Sequence, residues 1–203
     1  MKTKLFLALA ALGVATVSAN AAAEVRITEK MYTGLFGEFV EITNIGNASQ
    51  SLSGWNYTDS SNTNVSLTSV GTLDAGESAI ITEVDTDIFD LVWFGTYTGK
   101  TKPAGLVIVE NVTVNLGRND LVKIKDNLGA TKDILTYNDQ GAGTVDGVRS
   151  EEFSAIPGSG TVFGTDNFSS WILSVVGTGA AWKSGNNAAS ANGCVGSPGT
   201  YPN

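Results

Sequence analysis

The sequence predicts an all-β fold, a two-sheet sandwich or a barrel, on three observations. Apolar residues alternate with polar ones in short runs, clusters of Gly, Asn, Asp and Ser separate those runs, and sustained helical periodicity is scarce. Charged residues make up 16% of the 203-residue chain, against roughly 25% in an ordinary soluble domain. With 24 glycines, that balance favours turns and strands over long charged helices.

The chain opens on an address. Lys2 and Lys4 precede an apolar run from Leu5 to Val17, and small residues follow at Ala19, Ala21, Ala22 and Ala23, the pattern of a secretory signal peptide over residues 1–23. Cleavage is expected after Ala21 or Ala23. The run is short of the roughly 20 residues that span a bilayer, and no later stretch approaches its length, so an exported protein without a membrane span is expected. Residues 24–203 then form one domain. Removing the leader leaves ten basic against twenty acidic side chains and takes the net charge from −8 to −10.

Within the domain, Val25 and Ile27 alternate with Arg26 and Thr28, and Val40 and Ile42 alternate with Phe39, Glu41 and Thr43, each set with one face inward and one outward. Asn44-Ile45-Gly46-Asn47 reads as a turn. Further runs follow at Ser51 to Tyr57 and Ser78 to Thr82, the second introduced by Asp74-Ala75-Gly76. Gly105 to Val109 is almost wholly apolar, as expected of a strand covered on both faces. Leu121 to Lys125 sets Val122 and Ile124 on one face and Lys123 and Lys125 on the other, and Asp126-Asn127-Leu128-Gly129 turns it back into Asp133 to Tyr137 as a hairpin. Residues 138–170 read as long loops with at most one strand, and the tail beyond Trp182 as an irregular closing segment.

Asp85 to Phe94 is the exception: Ile88, Leu91 and Val92 fall at i, i+3, i+4 behind an acidic start, which predicts a short helix or turn on the edge of the fold. Asp85, Asp87 and Asp90 together are also a calcium candidate, since alternating acids in a loop supply the oxygen ligands that ion takes. The loop lacks the glycine and the closing glutamate of an EF-hand, so the solvated helix start is the favoured reading. Calcium is the one cofactor the sequence suggests.

Other chemistries are excluded or disfavoured. The chain has no histidine and a single cysteine, Cys194, so it has no Ser-His or Cys-His pair, no intramolecular disulfide and no all-Cys metal site of its own. Glu38 and Glu41 lie three apart along a strand and point to opposite faces, which keeps them from acting as an acid–base pair. Trp55 after Gly54 reads as a corner residue of the core more readily than as a ligand platform. The excess of acid disfavours nucleic acid, and the lysines of Leu121 to Lys125 read as guards against edge-to-edge aggregation. Cys194, in a Gly- and Asn-rich setting, is expected to be exposed and able to link a homodimer.

Several segments carry a resemblance. Val25-Arg26-Ile27-Thr28-Glu29, Gly37-Glu38-Phe39-Val40-Glu41-Ile42-Thr43-Asn44, Gly46 and Leu52-Ser53-Gly54-Trp55 resemble the first strands of the lamin tail domain. Leu73-Asp74-Ala75-Gly76-Glu77-Ser78 is similar to that family's turn into the next strand. Asn115-Leu116-Gly117-Arg118-Asn119-Asp120, and Gly196-Ser197-Pro198-Gly199 after Trp171, resemble its exported bacterial branch. The resemblance implies an immunoglobulin-like β-sandwich and a binding or assembly module with no catalysis of its own. The expected partner is a protein or a cell-surface polymer, met through sheet edges and end loops. The alternatives are a structural subunit of an extracellular matrix or filament, and an accessory domain associated with a metal-dependent hydrolase.

Overall fold

A computed structural model of the chain describes residues 21–140, 146–178, 180–185 and 193–201. The leader read in the sequence falls largely on residues 1–20, outside the described residues. Two sheets face each other. The larger has six strands in the order β12 (Trp171–Leu173), β11 (Ala155–Pro157), β1 (Val25–Met31), β2 (Phe39–Asn44), β7 (Ser78–Thr82) and β8 (Val107–Glu110). The smaller runs β10 (Thr131–Asn138), β9 (Asn119–Lys125), β4 (Asn56–Thr58) and β5 (Val65–Ser66). Two short pairs, β3 (Gln50–Ser51) with β6 (Thr72–Leu73) and β13 (Trp182–Lys183) with β14 (Val195–Gly196), complete the strands.

The core between the sheets takes Ile27, Ile42 and Ile81 from the larger sheet and Tyr57, Val122, Ile124 and Leu135 from the smaller, the interdigitation of a β-sandwich. β9 and β10 form the expected hairpin, with Val122 and Ile124 fully buried. All pairings in the larger sheet are antiparallel except β7 with β8, which run parallel. A parallel pair needs a crossover, and helix α1 (Thr86–Phe94) supplies it.

The outward face predicted for β1 and β2 is covered. A second apolar cluster lies on it, where Met31, Phe39 and Ile80 meet Phe89, Val92 and Trp93 of α1 together with Leu106, Trp182 and Cys194. The helix faces this cluster through Phe89, Val92 and Trp93, and the predicted Ile88 and Leu91 stand about half exposed. Two aromatic rings at i, i+4 bury more area than the aliphatic pair, and both meet Phe39 edge-on at ring-centroid distances of 5.6 and 5.5 Å.

Three further departures have local causes. Ser51 to Tyr57 is two strands, because Gly54 turns the chain at φ 74° and Trp55 N–H closes the turn on Leu52 O at 3.0 Å. The apolar run ending at Val109 is an edge strand that starts at Val107, with Leu106 in the outer cluster. The closing segment is ordered over residues 193–201, with β14 paired to β13.

A β-bulge in β1 decides where its polar residues go. Ile27 pairs with Ile42 and Glu29 with Glu41, so Thr28 is the extra residue and the alternation slips by one. Beyond the bulge Lys30, paired with Val40 and Ala155, points into the sandwich, while Glu29 and Met31 point outward beneath the covering layer.

Candidate functional site

The bulge and the pleat bring Glu29 and Glu41 side by side on the outer face of the larger sheet, where the closing segment covers both. Glu29 Oε1 accepts from Ser197 N–H at 2.7 Å and from the Ser154 hydroxyl, and Oε2 accepts from the Ser197 hydroxyl at 3.0 Å. Glu41 Oε1 accepts from the hydroxyls of Thr28 and Thr43 at 2.9 and 3.1 Å, and Oε2 accepts from Gly199 N–H. Burial pushes the Glu29 carboxyl up to about 8, helped by the neighbouring Glu41, and raises Glu41 as well. Two like charges out of water cannot both be held cheaply, so burial favours the protonated form of the pair.

The inner face has its own charged group. Lys30 is fully buried, its Nζ 2.9 Å from Ser150 Oγ and 3.3 Å from the centroid of the Tyr137 ring, with Phe168 and Tyr32 also around it. Burial lowers its amine to about 7 against the pull of Asp139, Glu38 and Asp120. Glu38 takes the Leu116 N–H at 2.6 Å and is itself pushed up to about 8 by burial. Glu38 and Glu41 therefore face opposite sides of their strand, as their spacing predicts.

The predicted metal ligands take other parts. Asp85 caps α1, its Oδ1 accepting from Asp87 N–H at 2.8 Å, and Asp90 pairs with Lys102 at 2.8 Å. Among the described residues, no group of three or more His, Cys, Asp or Glu side chains is arranged to hold a metal ion. Cys194, expected at the surface, is fully buried: its Sγ accepts from Leu35 N–H at 3.2 Å and its thiol donates to Glu152 Oε2 at 3.1 Å. Burial, with Glu152 beside it, pushes that thiol up to about 11. The packing of residues 193–196 would have to open before the sulfur could link two chains.

Trp55 is buried, as a core residue. Lys100 lies over the Trp182 ring, Lys102 and Lys132 pair with Asp90 and Asp126, and Lys123 and Lys125 stand on the outer face of β9. Sequence reasoning passed over Glu29, Lys30 and Ser197. An acid and a lysine adjacent within β1, which breaks the alternation of Val25 and Ile27 with Arg26 and Thr28, are the available signal.

The larger sheet ends in two edge strands, β8 and β12. Beside β12 the side chains of Ile172, Val175 and Val176 are 52%, 59% and 51% exposed.

A family model for the Lamin Tail Domain matches residues 18–139, more than half of the chain. The chain belongs to the lamin tail domain family. The matched stretch holds β1 to β10 and the buried Glu29, Glu38 and Glu41, and this lamin tail domain has the all-β, immunoglobulin-like sandwich its sequence predicts. The family is a non-enzymatic one, consistent with a binding module. No curated protein matches the chain. The segment that covers Glu29 and Glu41, residues 193–201, lies beyond the matched stretch and docks back onto its first two strands.

Proposed function

We propose that this lamin tail domain protein is exported and serves, without catalysis of its own, as a binding module that takes a protein partner along the free edge of β12. What supports this reading is that edge: β12 closes the larger sheet, and Ile172, Val175 and Val176 leave an apolar margin beside it. An edge strand presents unpaired backbone groups to which an extended segment can add as a further strand, and flanking apolar side chains supply pockets for alternate residues. The buried carboxyls support the same reading, since Glu29 and Glu41 are engaged by donors of their own chain.

Mature protein and an Ile172→Lys, Val175→Lys double variant, checked for equal thermal stability, would be cross-linked in the exported fraction of the producing cells. The expected result is a discrete protein adduct of the wild type that the double variant loses. An adduct of equal yield in both, or none in either, overturns the reading.

A further inference from the structure

The fold starts before its first strand. Ile45 N–H donates to Glu24 O at 2.8 Å, and Glu24 N–H donates to Asn44 Oδ1 at 3.0 Å. One step earlier Asn47 N–H donates to Ala22 O at 2.9 Å, and Ala22 N–H donates to Asn47 Oδ1 at 2.7 Å. The turn at Asn44 to Asn47 is thus laced to the chain as far back as Ala22.

Gly46 is the crossing point. A Cβ there would collide with the Ala22 carbonyl and stand 2.6 Å from Glu24 N, so the approach of the two backbones depends on its having no side chain. Ala23 also walls a polar cavity of about 140 Å³ with Glu24, Arg26, Gln50, Trp55 and Lys132.

The leader pattern admits two cuts, since Ala19 with Ala21 and Ala21 with Ala23 both set small residues at the third and first positions before the break. They differ in what the fold keeps. A cut after Ala23 removes the carbonyl that Asn47 N–H donates to, the amide that donates to Asn47 Oδ1, and a wall of the cavity. A cut after Ala21 keeps all three. We infer that the leader is removed between Ala21 and Ala22 and that Ala22 is the first residue of the mature fold.

Hydrolysis adds one water across that peptide bond. The Ala21 carbonyl carbon takes the water oxygen and leaves as a carboxylate, and the Ala22 nitrogen takes both of the water's protons and becomes an ammonium. An α-amino group ionises near 7.7–8.0, so at neutral pH the Ala22 ammonium makes the bond to Asn47 Oδ1 a charge-assisted one.

The inference rests on the export proposed above, and one experiment separates the two. Intact mass and N-terminal sequencing of the protein from the exported fraction of the producing cells are expected to show a chain that starts at Ala22. A start at Glu24, or at any other residue inside the exported fraction, overturns the inference and leaves export standing. A chain that keeps Met1 and stays in the cells overturns both.

A second measurement reads the fold directly. Chains starting at Ala22 and at Glu24, each freed from a removable N-terminal fusion, are compared with and without Asn47→Ala. The Glu24 chain is expected to melt about 2–4 °C lower, and Asn47→Ala to lower the Ala22 chain alone. Equal midpoints for the two starts overturn the claim that the fold begins at Ala22.

Discussion

Glu29 and Glu41 face each other across β1 and β2, and each is met by the end of the chain, Glu29 by Ser197 and Glu41 by Gly199. The pair is a buried acid site whose proton is part of the fold. The donors it takes from the closing segment lie 158 and 168 residues away, so it works as a latch for that segment.

The buried glutamates make stability fall as pH rises. Glu29 and Glu38 keep their protons to about 8 in the fold, whereas an unfolded glutamate releases its own near 4.5. Between those values the folded state binds more protons than the unfolded one, so the contribution is full below about 4.5 and is lost as pH climbs towards 8. Thermal melts from pH 5 to 8 should show a falling midpoint. Glu29→Gln, which copies the protonated acid, should flatten that slope while holding the midpoint at pH 5.

Lys30 acts in the opposite direction. Its amine is neutral in the fold above about 7 and charged in the unfolded chain up to 10.5, so the penalty for burying it is present below 7 and is relieved between 7 and 10.5. Lys30→Met, which keeps the length and removes the charge, should leave stability unchanged or raise it at pH 6, where a buried charge costs most. Urea denaturation at pH 6 and pH 9 checks this, with the gain expected at the lower pH.

Trp93 centres the outer cluster, fully buried against Phe39, Phe89 and Trp182. Trp93→Ala should cost about 3–5 kcal/mol of unfolding free energy by denaturant titration. The same change at half-exposed Leu91 should cost well under that.

Asp85→Ala should cost about 1 kcal/mol, the usual worth of a helix N-cap. Melting with calcium and with chelator decides between the two roles its sequence suggests: the cap predicts the same loss in both, and a calcium ligand predicts a loss in calcium alone.

Cys194 should resist a thiol reagent in the folded protein and react fully in denaturant, because its sulfur is buried and its thiol held to about 11. Labelling followed by mass spectrometry reads this, and a non-reducing gel of the folded protein should show a single-chain band.

The parts of the fold legible in the sequence are those with one dry and one wet face. The β9–β10 hairpin is written in plain alternation because Lys123 and Lys125 face solvent while Val122 and Ile124 do not. β1 and β2 are harder: both of their faces are covered, and the bulge at Thr28 reverses the alternation halfway along β1, so Glu29 and Lys30 exchange the sides that a regular strand would give them. Asp85 was legible as a helix start because its partner, Asp87, is two residues away. The partners of Glu29 and Glu41 were not, because no local pattern ties a strand near residue 29 to a serine at 197. The burial of Cys194 escaped for the same reason, its neighbours Leu35 and Glu152 being supplied by distant turns.

The latch also sets an order of events. Its acids belong to β1 and β2 and two of its donors to Ser197 and Gly199, so the part of the outer face around Glu29 and Glu41 cannot be covered until those later residues have been made, whereas Met31 and Phe39 can already meet α1. A growing chain holds those glutamates in water, where they ionise and resist the collapse that would bury them. Closure over the two acids is thereby deferred until residues 197 and 199 are available to dock, which places it late among the steps of folding.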